Sequence, residues 1–397
     1  MSRYRRSISP LLLACLLVWG VLTLWMRERW PRSVLEIGLF ALAAGSLLLG
    51  RPRWDWKLVP LAFAAVWPVL QILCGWTVYR HATLDAALFW TAAAAGYVAA
   101  SDVLRDPGDA AVFRRGMAGF GIGLAALATV QLYTSRGRVF WLFDSGYSDS
   151  VLGPFVYRNN YAAFMELLLP LALVEAFENR HGGWFLAGSA LMVASVIASG
   201  SRAGAVLVSV ELLAVGAIWI YRCRGGRSSA ASLLRLALLI VVLTAVGGWG
   251  LLWDRFQEKE PLELRRQYLE ASLAMFRDRP WTGFGLGTWP NVYPAYAAVD
   301  NGMFANRAHN DWAEWASEGG VPFVVALILV AGGAVGRAFR SVWGIGLVSV
   351  CVHALVDYPF ARLGQVAWWF TVLALVGSLP RQHHSDGADQ DVQVDPE

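Results

Sequence analysis

The stretch GWFLAGSALMVASVIASGSRAGAVLVSVELLAVGAIWIYR (183–222) decides the fold class. It holds two apolar runs, 183–199 and 203–221, each close to the roughly 20 residues that a helix needs to cross a hydrocarbon layer. Only the turn SGSRAG (199–204) separates them. Outward from this pair the pattern repeats, at 9–26, 33–50, 58–75, 82–101, 116–134 and 161–178 before it and at 233–253, 319–336, 342–357 and 363–379 after it. Twelve such segments predict an all-α polytopic membrane protein of about 12 transmembrane helices over residues 1–379. Composition agrees, because only 16% of the chain is charged where a soluble domain carries about 25%. Soluble, fibrous and disordered classes are thereby excluded. The first run starts basic but has no small-residue cleavage site before Arg27, so it reads as a retained helix.

Charge sets the expected orientation. Of 33 basic residues, seventeen fall in alternate segments that share a side with the N-terminus, nine in the opposite short loops and seven in one long loop that the positive-inside rule does not count. Both termini are therefore expected in the cytoplasm. Nearly all the cations are arginines in short clusters between apolar runs, a pattern of topology rather than of nucleic-acid binding. The twenty tryptophans mostly flank the runs, as in an interfacial belt. Cys15, Cys74, Cys223 and Cys351 stand far apart without a CxxC or a paired His, which encodes neither a disulfide framework nor a zinc site.

The membrane pattern stops at 254–318, on the outer side by this orientation. A loop of that length in a compact protein is usually functional. Within it a helix is predicted from about Leu262 to Arg277, ending before Pro280 and the glycines of WTGFGLGTWP (281–290). No strand precedes GFGLG, so a dinucleotide fingerprint is excluded and the glycines are read as shaping a turn. The segment 380–397 is polar, aperiodic and expected to be disordered.

The outer face gathers Arg136, Arg138, Arg158, Arg202, Arg265, Arg266, Arg307 and His309. Arginine there runs against the positive-inside bias, and its fixed fork of donors fits phosphate oxygens. The bland alternative is snorkelling to lipid headgroups, the favoured reading for Arg136 and Arg138. His309 sits where RAHNDWAEWASEGG (307–320) runs from loop into helix, and an imidazole there can take a proton from a hydroxyl or simply pack. Glu166, early in the sixth segment, should face the bundle interior, since a charge at a helix centre costs roughly 2–3.5 kcal/mol by insertion scales. It reads as a substrate contact or a structural hydrogen bond. His353 and Asp357, four apart, share a helix face and are expected to pair with each other.

GPFVYRNNYAAFMELLLPLAL (153–173), SGSRAG (199–204), RRQYLEASLAMFRDRPWTGFGLGTW (265–289), RAHNDWAEWASEGGVPF (307–323) and HALVDYPF (353–360) occur in the order expected of the O-antigen ligase/polymerase superfamily, which this chain resembles over about 150–360. The resemblance implies a bacterial inner-membrane enzyme with a C-type glycosyltransferase fold. Such an enzyme moves a glycan from an undecaprenyl-diphosphate carrier to a hydroxyl on a glycan or lipid acceptor at the periplasmic face, without metal or nucleotide cofactor. It also implies roles for individual residues. Arg202 and Arg265 match phosphate-facing arginines, with Arg266 the runner-up, and His309 matches the family His that serves or positions the acceptor hydroxyl. Asn310 orients substrate or caps the helix, and Arg158 and Asn159 of the matched loop join the substrate site; Arg307 and Glu166 are added to it from the residue reading above.

Two departures stand out. The loop pattern FVNRNHFAG reads FVYRNNYAA here, so Tyr157 replaces an Asn and Asn160 a His, while Arg158 and Asn159 are kept. Phe323 follows Gly320 where a small or hydroxyl residue is the ligase-like pattern, which weighs toward another member of the group. Ligase and polymerase stay open at this point. So do a carrier of lipid-linked glycans and a non-catalytic scaffold, although no repeat of halves supports a carrier.

Overall fold

The computed structural model describes residues 2–146, 151–179, 182–222, 227–257, 260–298, 302, 304–338 and 341–377. The helices are α1 (Ser2–Leu22), α2 (Trp30–Leu49), α3 (Leu58–Leu73), α4 (Arg80–Val103), α5 (Pro107–Thr134), α6 (Arg158–Glu178), α7 (Gly183–Ala198), α8 (Arg202–Arg222), α9 (Arg227–Gly247), α10 (Gly250–Gln257), α11 (Glu260–Asp278), α12 (Trp289–Val292), α13 (Asp311–Ala338), α14 (Gly344–His353) and α15 (Leu363–Gly377). Each of the twelve apolar segments is occupied by helix. Among the described residues, seven helices (α2, α4, α5, α6, α8, α9 and α13) are long and apolar enough to cross a membrane, and five shorter apolar ones accompany them. This is an all-α membrane protein. The segment expected to be disordered, 380–397, lies outside the described residues.

Sequence explains the layering. Helix α6 is apolar all round, the pattern of a helix surrounded by others, and it is buried from Asn159 to Glu175 between α5, α7, α8 and α14. Helix α9 is also largely apolar, yet only 6% of its membrane window is buried, so it lies against α7 with most of its side chains turned outward. Apolar exposure of that kind suits lipid as solvent. Helix α5 starts where Pro107 presets the first turn and the Asp106 side chain accepts from the backbone of Gly108 (2.8 Å) and Asp109 (3.3 Å).

Two boundaries differ from expectation. The ninth segment is two helices, because the chain breaks after Gly247 at Gly248, whose φ of 79° is left-handed. Helix α14 ends at His353, short of the expected 357, and the chain turns through Ala354–Tyr358. Inside the expected long loop, α11 fulfils the predicted helix and α10 and α12 are added.

The break in α13 positions the loop. Gly320 has φ 68° and ψ −175°, near the expected boundary between loop and tenth segment. A side chain there would strike the backbone of Pro280 and Trp281, and one at Gly283 would strike Glu318 and Gly319. A broken helix frees carbonyls, which a membrane tolerates only when protein satisfies them. Here the Glu318 carbonyl accepts from Gln71 Nε2 (2.8 Å) and the Gly285 amide (2.9 Å), and the Gly319 carbonyl from Trp67 Nε1 (2.8 Å). Gln71 Nε2 also donates to the Thr282 carbonyl (2.7 Å), and its Oε1 accepts from the Leu286 amide (3.0 Å). One buried amide on α3 thus ties the glycine loop to the broken helix. Gln71→Leu should orphan the Thr282 carbonyl and the Leu286 amide, leave the Glu318 carbonyl with the Gly285 amide alone, and cost about 2–4 kcal/mol. A fall in melting temperature followed by tryptophan fluorescence in detergent should report it, with Gly332→Ala, where open space surrounds the new methyl, as the unchanged control.

Candidate active site

Where α6 and α8 begin, their N-termini open on one cavity of about 190 Å³. Tyr157, Arg158 and Asn159 line it from the entry to α6, Gly200, Arg202 and Ala203 from the entry to α8, and Arg255, Leu264, Arg265, Tyr268 and His309 from the segment between α9 and α13. Four arginines and a histidine stand around it, and among the described lining residues none is acidic. Two helix N-termini add partial positive charge, and their first amides are donors without intrahelical partners. The combination is built for an anion with several oxygens.

A polar network organises the wall. Asp357, 1% exposed, lies in the turn after α14, and its Oδ2 accepts from Arg265 (3.1 Å), from the Tyr157 hydroxyl (2.9 Å) and from the Asn159 amide. Its Oδ1 accepts from the Tyr358 amide (3.0 Å) and faces His309 Nδ1 at 3.4 Å. Burial works against the charged carboxylate, but the bond with His309 and the charge of Arg265 outweigh it and hold Asp357 below the usual carboxylate range. Burial and the neighbouring Asp357 charge push the Tyr157 phenol well above its ordinary value, so it keeps its proton. Arg202 donates to the Arg255 carbonyl (3.0 Å), which fastens the last turn of α10 to the start of α8.

His309 has φ 52°, a left-handed backbone that a non-glycine residue adopts at a cost. Asn310 caps the helix that follows, its Oδ1 accepting from the Ala313 amide (3.0 Å) while its Nδ2 donates to the Leu355 carbonyl (2.7 Å). The Asp311 amide reaches the carbonyls of Ala354 (2.9 Å) and Asp357 (3.2 Å), and its carboxylate accepts from the Phe360 amide (2.9 Å). The motifs at 307–323 and 353–360 are thereby stitched together.

The cavity therefore gathers His309, Arg265, Arg202, Arg158 and Asn159 of the residues singled out from sequence. Four others lie elsewhere. Arg266 is exposed and pairs with Glu263 (2.8 Å) and Glu270 (3.7 Å) along α11, because adjacent helical positions point about 100° apart. Arg307 holds Glu314 (2.6 Å), whose other oxygen accepts from the Ala308 amide (2.9 Å), so it braces the chain beside His309. Asn310 serves as the cap just described. Glu166 is fully buried in α6 and takes His353 Nδ1 at 2.8 Å. The expected His353–Asp357 pair is thus replaced: with α14 ending at His353, the imidazole turns into the bundle toward Glu166, and Asp357 turns to Tyr157, Asn159, Arg265 and His309 behind the cavity wall. Glu318 accepts from the Gly287 (2.9 Å) and Trp289 (2.7 Å) amides and clamps the glycine loop. Phe323 packs edge-on against Trp90 at 5.4 Å in the bundle interior. Arg255, Tyr268 and Asp357 joined the site without a signal that spacing alone could supply.

Residues 187–328 match the family model described as O-antigen ligase. That part of the chain is similar to the O-antigen ligase family, which supports the resemblance to the O-antigen ligase/polymerase superfamily. No curated protein matches the chain. The O-antigen ligase match spans Arg202, Arg255, Arg265 and His309 and ends inside α13, so Arg158 and Asp357 enter the site from outside it. If the four arginines act as one anion cradle, Arg255→Gln should weaken binding of inorganic pyrophosphate to the solubilised full-length chain about tenfold, one charge-assisted bond's share. Arg266→Gln should leave it unchanged, and a scintillation-proximity or calorimetric titration distinguishes the two.

Proposed function

We propose that the chain transfers or polymerises a glycan carried on undecaprenyl diphosphate, delivering it to a hydroxyl acceptor at the periplasmic face of the bacterial inner membrane. The observation that carries the reading is the cavity itself: Arg158, Arg202, Arg255 and Arg265 converge with two helix N-termini on the same space that His309 lines. In this reading both termini are cytoplasmic, about 12 helices cross the membrane, and residues 254–318 with the loop before α6 form the outer cap.

The chemistry follows from the charges. The acceptor oxygen attacks the anomeric carbon of the donor sugar, the bond from that carbon to the phosphate oxygen breaks, and both electrons of that bond leave with the lipid diphosphate. Negative charge grows on the departing oxygen, and guanidinium groups already fixed around it stabilise that charge without reorganising. Arg202 and Arg265 are assigned to the diphosphate, with Arg158 and Arg255 beside them. His309 takes the proton of the acceptor hydroxyl. These residues supply the charge stabilisation and the proton transfer.

A gel of surface glycans and lipid-linked intermediates tests the proposal in cells lacking the protein, beside cells carrying wild type, His309→Ala, Arg202→Ala or Arg265→Ala at matched membrane levels. Each variant is expected to lose at least about 100-fold in transfer. Full-length chains accumulating on the carrier identify a ligase, and single units accumulating on the outer side identify a polymerase. Units trapped on the cytoplasmic side, or full complementation by the three variants, would overturn the transferase reading.

A further inference from the structure

His309 touches its neighbours through Nδ1, and the hydrogen atoms around that nitrogen can be assigned one by one. The Gly204 amide donates to Ser201 Oγ (3.2 Å), and Ser201 Oγ donates to Asn159 Oδ1 (2.7 Å). The Asn159 amide is thereby oriented with Nδ2 toward Tyr157 Oη (3.0 Å) and Asp357 Oδ2. The single Tyr157 hydroxyl hydrogen goes to Asp357 Oδ2 (2.9 Å), so Tyr157 Oη has only lone pairs for its other neighbours. Those neighbours are Asn159 Nδ2 at 3.0 Å, Arg265 at 3.4 Å and His309 Nδ1 at 3.4 Å. Among the described residues Nδ1 therefore meets two acceptors, the phenol oxygen and Asp357 Oδ1 (3.4 Å), and no donor.

We propose that this donor chain from α8 through Asn159 and Tyr157 to Asp357 fixes His309 as the neutral tautomer protonated on Nδ1, making Nε2 the nitrogen that takes the acceptor's proton. The role of Nε2 rests on the transferase reading above, and the tautomer does not. Packing holds the ring in the required plane: His309 stacks on Tyr268 (centroids 6.0 Å, 15°) and stands edge-on to Tyr358 (4.9 Å, 74°) and Tyr157 (6.0 Å, 72°). Among the described residues, Tyr157, Tyr268, Tyr358, Asp357 and Arg265 are the titratable or charged groups in contact with it or its partners, and Arg158, Arg202 and Arg255 line the same cavity. Burial and the Asp357 charge keep the Tyr157 phenol protonated, so its hydrogen stays committed to the carboxylate. Asp357 is thus a positioning residue, acting through His309 and Arg265. Tyr157 stands where the resembled loop pattern has Asn, so this part of the chain of bonds belongs to this sequence.

The tautomer can be read without substrate. In the full-length protein labelled with ¹⁵N-histidine in detergent micelles at pH 8.5, well above the ordinary imidazole pKa of about 6.5, the resonances lost in His309→Ala identify the ring. Nδ1–H is the expected form, and an Nε2–H ring in wild type would overturn the proposal even if Asp357 variants fail to fold. In Asp357→Asn the amide can turn its NH₂ toward Nδ1, which should switch the ring to Nε2–H and lower glycan transfer at least about 100-fold, the consequence of a wrong tautomer. Tyr157→Phe removes one acceptor but keeps the carboxylate, so Nδ1–H should persist. An unchanged tautomer in Asp357→Asn counts against the assignment. An Nδ1–H ring together with full transfer by His309→Ala would leave the tautomer standing and defeat the base.

Discussion

The buried carboxylate of Asp357 is the point at which the site and the fold become one problem. A charge this deeply buried is tolerated only when other groups replace the water it has lost. Its partners come from far apart in sequence: Tyr157 and Asn159 from the start of α6, Arg265 from α11, His309 from the loop before α13 and Tyr358 from its own turn. If any one segment is out of place, the carboxylate is left under-solvated. The native arrangement of four segments is therefore favoured by the same interactions that align the histidine and the arginine.

The broken helix α13 makes that arrangement geometrically accessible. An unbroken helix would carry Asp311–Gly319 straight on from Val321, whereas the left-handed Gly320 turns the first part aside and opens room for the glycine loop 281–289. The freed backbone groups are taken up by Gln71, Trp67 and the loop's own amides. Glu318 then closes on the amides of Gly287 and Trp289. The long segment between α9 and α13 is consequently fastened to the bundle by backbone hydrogen bonds along its second half. This gives Tyr268 a fixed surface on which the His309 ring stacks.

Periodicity and apolarity made the helices legible, and charge composition made the outer arginines conspicuous. The resemblance supplied Asn159, and charge composition reached Arg202, Arg265, Arg158 and His309 because these types are chemically expensive where they stand. It could not separate Arg265 from Arg266, since composition treats neighbours alike and only the helix phase of α11 sends one inward and the other to Glu263 and Glu270. It paired His353 with Asp357 by the rule for helical neighbours, and that rule lapsed because α14 ends at His353. Arg255 was invisible as a site residue because its place depends on the break at Gly248, a backbone event inside what reads as one continuous apolar run.

In the proposed reaction Arg265 has two anionic partners, one permanent and one that arrives. Held at 3.1 Å from Asp357 Oδ2 and 25% exposed on its side chain, its guanidinium is oriented before any diphosphate enters, so little rotamer freedom remains to be lost on binding. A guanidinium carries five donors and stays charged whatever its surroundings. It can keep one bond to Asp357 while presenting the rest to phosphate oxygens. Lysine, a point charge on a flexible stem, could not serve both at fixed angles. Asp357 also limits the positive potential of the resting cavity, which would otherwise hold the diphosphate product after transfer. A carboxylate that orients both the leaving-group arginine and the acceptor-side histidine brings bond breaking and proton removal under one geometric constraint, and that suits a reaction in which the leaving bond breaks at the carbon that the acceptor oxygen, losing its proton, attacks.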